Sequence, residues 1–426
     1  MTEKFIIQGG KPLEGEIEVG GAKNAATPIL AATLLTDKEC EIANLPLVED
    51  VFRMIEILQE LGADIIWRGA RTIKISCKNI DPSKIRPELV KKMRSSVLLI
   101  GPLISRFGKV TISKPGGDII GSRPIDVHLN AFRTLGAEVS EEQSLYHFKA
   151  KKGLKPARVI LKEFSVTATE NALMASSLIP GKTEISIAAC EPHVQDLALF
   201  LKKMGAKIKG EGSHNIQIFG KEKLKGASHA IIYDPVEAGN YIILAAATKG
   251  RVTVKNVNPL HLELVLEKLK DFGLDFKIIK SGRKGAILVE KPTGILKMDK
   301  VQTLIYPGIP TDLQSAFGVL ATQAKGSTLI HDPLYEGRLK YLEELNKMGA
   351  KIIVADPHRA IINGPTPLYG TEINSYDLRS GVSLIIAGLV ARGKTVINGV
   401  YQIDRGYEKI EQKLQKLGAD IKRVKD

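Results

Sequence analysis

The sequence predicts an α/β protein made of six repeats of one helix-and-strand unit, and three observations predict it. First, one short phrase recurs along the chain: LQELGADI ending at Ile65, FRTLGAEV at Val139, LKKMGAKI at Ile208, LKDFGLDF at Phe276, LNKMGAKI at Ile352 and LQKLGADI at Ile421. Its central glycines, Gly62, Gly136, Gly205, Gly273, Gly349 and Gly418, lie 68 to 76 residues apart. Each copy reads as a helix end, a glycine C-cap and the start of a strand. Second, six segments between these copies are apolar nearly all round, which marks buried rather than surface helices. They start at Lys23, Met93, Val166, Glu237, Thr311 and Asp377. Third, the opening FIIQGGKPLEGEIEVGGAKN resembles the stretches that precede the fourth and sixth of those helices, so it reads as a strand pair without a unit of its own.

Most of the apolar helices run into a glycine-containing turn and a β-branched strand such as CEIANL, TEISIA, VTVKNV or TVINGV. Each unit therefore reads as buried helix, strand, loop, amphipathic helix, strand, strand. The sixth unit ends at Asp426 without a strand pair, and the N-terminal pair is expected to complete it, bringing both termini into one lobe. Grouping the units three and three predicts one lobe over 22–233 and a second over 1–21 plus 234–426. The repeat count alone does not fix that grouping.

With 426 residues, 44% of them apolar, the chain can bury a large core. A formal charge of +14 suits an anionic partner such as nucleic acid, a membrane surface or a phosphorylated metabolite. Aromatics make up only 5% and are nowhere interleaved with basic residues, which leaves little for bases to stack on and disfavours nucleic acid. No apolar run approaches the ~20 residues of a spanning helix, and MTEKFIIQGG lacks the layout of a signal peptide, so a cytoplasmic protein is expected. Cys40, Cys77 and Cys190 show no CxxC spacing, against both a disulfide framework and a zinc site.

PGGDIIGSRP, Pro115 to Pro124, sits where a strand-like VTIS passes to a helix-like IDVHLNAFRTLG. Glycine-rich turns in that position either shape the backbone or meet anions. Charged departures from the repeat gather at the starts of buried helices and in the loops after strands. Lys23 and Asn24 open the first helix and Arg94 the second; Ser165 and Thr169 begin the third; Asp312 opens the fifth, and Asp377 with Arg379 the sixth. Helix N-capping is the simpler reading of Asp312 and Asp377 taken singly. Arg94 and Arg379 do not fit it, because a cation in the first turn opposes the helix dipole and a buried guanidinium needs an anion. Arg123, Arg338 and Arg405 stand in strand-to-helix loops, where surface solvation competes with a site role. If those loops converge in a cleft between lobes, the six cations form a pocket for a phosphorylated metabolite.

At these residues the chain resembles the enolpyruvyl transferases that act on UDP-N-acetylglucosamine. The resemblance covers essentially the whole length through GGAKNAA at Gly20, MRSS around Arg94, PGG with GSRPIDVHL from Pro115, SVTAT from Ser165, PTDLQ from Pro310, YDLRSG from Tyr376 and IDRGYEKI from Ile403. It implies a two-lobed inside-out α/β barrel with helices in the middle. It also implies transfer of the enolpyruvyl group of phosphoenolpyruvate to the sugar 3'-hydroxyl by addition and then elimination of phosphate, in peptidoglycan precursor synthesis. The shikimate-pathway enolpyruvyl transferase is the nearest alternative. No metal, organic cofactor or obligate protein partner is implied.

By the same resemblance Lys23, Arg123 and Arg405 bind phosphoenolpyruvate, Arg94 and Arg379 complete the charged cleft, and Asn24 touches the sugar nucleotide. Arg123, Pro124, Ile125, Asp126 and Val127, with Ser165, Val166, Asp312 and Leu334, hold uridine and sugar. Asp312 is the base near the 3'-hydroxyl, with Asp377 sharing the proton traffic, since a carboxylate facing cations stays ionised. His128 reads equally as a site residue or a packing histidine. Two departures stand out: Asp118 replaces the usual proton-donating cysteine of the PGG loop, and Thr167 replaces the glycine of the uridine loop, preceded by Glu163 and Phe164. The first predicts tolerance of fosfomycin, which alkylates that cysteine. Loop 112–123 is expected to close as a lid. A non-catalytic sugar-nucleotide binder and a basic nucleic-acid-binding repeat protein remain as the other classes.

Overall fold

The six glycines of the recurring phrase all adopt left-handed backbone, with φ between +90° and +111°, directly after their helices, so each ends a helix as only glycine does readily. They do so in a computed structural model that describes residues 3–117, 120–121, 123–281, 284–294 and 296–425. The chain forms two units. One holds Met1–Gly20 and Tyr233–Asp426 with Ile120 and Gly121; the other holds Gly21–Gly117 and Arg123–Ile232.

In the first unit the helices Pro235–Ala247, Thr311–Gln323 and Leu378–Val390 pack on one another and are buried along nearly their whole length. Three four-stranded sheets accompany them. The second unit repeats the scheme with Lys23–Ala32, Val166–Ser177 and a segment that begins as a 3-10 helix, Arg94–Leu99, and continues as the α-helix Ile100–Phe107. Pro102 explains that change of pitch, because it has no N–H to give the carbonyl of Leu98. Each unit has its own apolar core. No helix among the described residues is long and apolar enough to cross a membrane.

The N-terminal strands correct the sequence reading, because they do not travel as a pair. Glu3–Gln8 joins the sixth unit's sheet between Lys394–Asn398 and Asp420–Lys425, as expected. Glu14–Glu18 instead runs parallel to Arg251–Val257 in the fourth unit's sheet. Reciprocally, Ser228–Ala230, which precedes the fourth buried helix, pairs with Cys40–Ala43 of the first. Elsewhere the strand before a buried helix pairs parallel with the strand after it, as Arg158–Ile160 does with Gly181–Ser186. The exchange arises because the chain changes unit between the strand and its helix, at Gly20 to Gly21 and at Ile232 to Tyr233. The second unit of the repeat has a three-stranded sheet, since the 3-10 turn Pro82–Lys84 and the helix Pro87–Val90 occupy the stretch where the parallel strand would lie.

Candidate active site

Each unit carries one cluster of the residues singled out above. In the unit holding the C-terminus, the cluster forms at the N-termini of Thr311–Gln323 and Leu378–Val390. The two acids there behave differently. Asp377 is an N-cap: its Oδ1 accepts from the backbone N–H of Arg379 at 2.8 Å and of Ser380 at 3.0 Å, and its Oδ2 from Ser380 Oγ at 2.6 Å. Asp312 is not the N-cap of its helix, which is Pro310 and makes no side-chain cap. Its two oxygens accept from different guanidinium groups, Oδ1 from Arg338 Nη2 at 2.5 Å and Oδ2 from Arg379 Nε at 3.0 Å.

Those arginines are buried, 8% and 3% exposed, and are held from several sides. Arg338 donates through Nε to Thr311 Oγ1, which donates to Asp332, and its Nη1 lies 3.7 Å from Asp377. Arg338 is therefore not a solvated loop cation: its charge is matched inside the cluster. Arg379 donates through Nη1 to Tyr407 Oη at 3.2 Å and sits over that ring. Its Nη2 is buried with no hydrogen-bond partner. Burial opposes the charge of Arg379, but Asp312, Tyr407 and Asp234 outweigh it and hold the guanidinium protonated. Asn240 donates to Tyr407 Oη at 2.6 Å from the neighbouring helix. Arg405 is buried, with Nη1 on Gln402 Oε1 at 3.0 Å, and Leu334 is exposed in the loop capped by Asp332.

In the other unit Lys23 begins the helix Lys23–Ala32, and its Nζ lies 3.4 Å from the buried carboxylate of Asp50; Asn24 follows in the first turn. Gly21 precedes them where a Cβ would stand 2.1 Å from Asn44 O. Arg94 opens its 3-10 segment and donates through Nη2 to Pro124 O at 3.1 Å. The PGG turn lies against it: a Cβ on Gly116 would be 1.7 Å from Lys91 O, and one on Gly117 2.9 Å from both Arg123 Nη2 and Arg94 Cβ. These glycines are clearance residues that bring Arg94 and Arg123 to one loop. Asp118 lies outside the described residues.

Beyond the turn, Pro124 and Asp126 are exposed, while Ile125 and Val127 bury their side chains in the core and leave only backbone to a ligand. Ser165 caps the helix Val166–Ser177, accepting from Ala168 N–H at 3.3 Å; Thr169 is buried, donating to Ser165 O and accepting from Ala189 N–H. His128 is a packing residue. Asn171 Nδ2 donates to its Nδ1 at 3.0 Å while also donating to Val97 O, so Nε2 carries the proton and donates to Thr167 Oγ1 at 3.1 Å. Burial, and then the charge of Arg94, lower its pKa to about 3. Thr167, the residue that departs from the family glycine, thus supplies the acceptor for His128.

Sequence reasoning missed Asp50, Asp332 and Tyr407. Asp50 stands 27 residues from Lys23 with no local signal. Tyr407 lies inside the IDRGYEKI stretch, where Arg405 is the residue that stands out.

A family profile described as EPSP synthase (3-phosphoshikimate 1-carboxyvinyltransferase) matches residues 7–414. Among similar curated proteins, a UDP-N-acetylglucosamine 1-carboxyvinyltransferase of Halothermothrix orenii is 45% identical over 422 residues, 99% of this chain and 100% of that one. One of Coxiella burnetii is 44% identical over 422 residues, 99% and 96% of the two chains. Among solved structures, the enolpyruvyl transferase NikO from Streptomyces tendae superposes with a TM-score of 0.88 at 22% identity over 99% of both chains. EPSP synthase from Acinetobacter baumannii does so at 0.75 and 20% over the whole of both. The structural likenesses establish the fold, two halves of repeated helix and strand units.

Proposed function

The chain belongs to the family of 1-carboxyvinyl (enolpyruvyl) transferases, and from that premise we propose that it transfers the enolpyruvyl group of phosphoenolpyruvate to the 3'-hydroxyl of UDP-N-acetylglucosamine, releasing phosphate. The reaction begins peptidoglycan precursor synthesis, and we place it in the cytoplasm. The observation that carries the proposal is Asp312: it sits in a first helical turn without being its N-cap, and is aligned by Arg338 and by Arg379, whose buried Nη2 keeps a donor unmatched. A buried guanidinium with an unmatched donor favours an anionic ligand.

In this reading Asp312 accepts the proton of the 3'-hydroxyl as its oxygen attacks C2 of phosphoenolpyruvate, and Asp118 gives a proton to the methylene carbon. The tetrahedral adduct then returns a methyl proton to the Asp118 carboxylate as phosphate leaves, forming the enol ether. Lys23, Arg123 and Arg405, with Arg94 and Arg379, neutralise phosphate and carboxylate. Asp377 caps its own helix and lies 3.7 Å from Arg338, next to Asp312, and shares the proton traffic with it. Asn24, Pro124, Asp126, Ser165, Val166 and Leu334, and the backbone of Ile125 and Val127, meet the sugar nucleotide. The test is phosphate release from phosphoenolpyruvate with UDP-N-acetylglucosamine or shikimate 3-phosphate as acceptor. Release with the first alone is expected; release with the second alone overturns the proposal.

A further inference from the structure

We propose that Arg423, on the last strand of the chain, is a positioning residue for Arg405, and thereby for phosphoenolpyruvate; the inference rests on the reading of Arg405 as a phosphoenolpyruvate-binding cation. Arg405 is the C-cap of a five-residue helix, Val400–Asp404. A helix of that length does not hold itself. At its start Gly399 has φ +75°, and a Cβ there would lie 2.7 Å from Ser375 O. Its apolar side, Val400 and Ile403, is fully buried. Its end is held through Asp404, the residue before Arg405: Oδ2 accepts from Arg423 Nη1 at 2.8 Å and Oδ1 from Arg423 Nη2 at 2.7 Å. This two-point fork fixes direction as well as distance.

Arg423 is itself anchored. It lies on the strand Asp420–Lys425, antiparallel to Glu3–Gln8, with its guanidinium 5.0 Å from the centre of the buried Phe5 ring. Nη1 also donates to Glu3 at 2.7 Å, while Nε and Nη2 donate to Glu411 at 3.3 and 3.2 Å. Its five N–H groups thus all face carboxylates of the same unit, and none is left for a substrate. Arg423 therefore acts through Asp404 and not by contact. The sequence places it 18 residues beyond Arg405, outside the IDRGYEKI stretch, where nothing marks it as more than a surface cation.

The test compares Arg423→Gln, Arg423→Lys, Asp404→Asn, Glu3→Gln and Arg405→Gln by steady-state kinetics on both substrates and by thermal melting. Arg423→Gln and Asp404→Asn are expected to raise the KM for phosphoenolpyruvate about tenfold while the KM for UDP-N-acetylglucosamine stays within about twofold. Arg423→Lys, which reaches one oxygen of Asp404, falls between. Glu3→Gln removes a partner of the same guanidinium but leaves the fork, and should change melting without changing either KM. If Arg423→Gln fails to fold, Asp404→Asn and Arg423→Lys carry the test. An unchanged KM for phosphoenolpyruvate in folded Asp404→Asn and Arg423→Lys, with a raised one in Arg405→Gln, overturns this inference and leaves the reading of Arg405 standing. An unchanged KM in Arg405→Gln as well overturns that reading and this inference with it.

Discussion

Replacing Asp312 with asparagine keeps the size of the side chain and removes its charge and its basicity. A positioned general base contributes at least about 100-fold, so kcat should fall by ~100-fold or more, about 2.7 kcal/mol in activation free energy. The same change acts on stability, because Arg338 and Arg379 lose the carboxylate that lies 2.5 and 3.0 Å from them. The loss is partial: Arg338 keeps Asp377 at 3.7 Å and Arg379 keeps Tyr407. The penalty therefore lies near the low end for breaking a buried pair, about 2–3 kcal/mol, or a Tm lower by roughly 4–12 °C for a unit of this size. Phosphate release and differential scanning calorimetry measure the two effects on one preparation. Turnover within a few-fold of the parent in a folded variant would remove Asp312 from the proton transfer, and an unchanged Tm would contradict the charge accounting.

Gly116→Ala should leave the fold intact yet lower kcat/KM by up to ~100-fold, since its Cβ would stand 1.7 Å from Lys91 O and must displace the loop that carries Arg123; wild-type kinetics would refute the clearance argument. His128 has a folded pKa near 3 against an ordinary 6.5, so the stability of its neutral form is present above pH 6.5 and is lost as pH falls toward 3. His128→Asn should flatten that acid limb of Tm against pH, and an unchanged limb would place the titration elsewhere. Glu170 is fully buried, and burial followed by Glu191 raises its pKa well above 4.5, so its stability is present below pH 4.5 and is lost as pH rises through the raised value. Glu170→Gln should match the parent in Tm near pH 4 and exceed it near pH 8; equal Tm at both would refute it. Asp118→Cys should remain active and become irreversibly inhibited by fosfomycin, while the parent tolerates it, because a thiolate opens an epoxide far more readily than a carboxylate does. Time-dependent modification of the parent at Asp118 would reverse that conclusion.

Repetition made most of the fold legible. Six left-handed glycines and six apolar helices are local signals, and each copy of a repeat reinforces the others. The exchanged strands Glu14–Glu18 and Ser228–Ala230 were not legible, because the sequence reading kept the N-terminal strand pair whole, and no local residue pattern says that a strand pairs apart from its neighbour where the chain changes unit. In the site, Arg94 and Arg379, unlike the loop arginines Arg123, Arg338 and Arg405, announced themselves by opposing the helix dipole. The acids did not: Asp312 and Asp377 occupy similar sequence positions, and only the proximity of Arg338 and Arg379 distinguishes the clamped carboxylate from the cap. Thr167 stands in the sequence as a departure at the uridine loop, and its hydroxyl is the partner of His128.

The most direct measurement of the central claim is the mass and NMR identification of the product formed from phosphoenolpyruvate and UDP-N-acetylglucosamine. The account predicts an enol ether on the 3'-oxygen of the sugar, formed in one-to-one ratio with free phosphate. Sugar nucleotide recovered unchanged, or an enolpyruvyl group on any other oxygen, would contradict it.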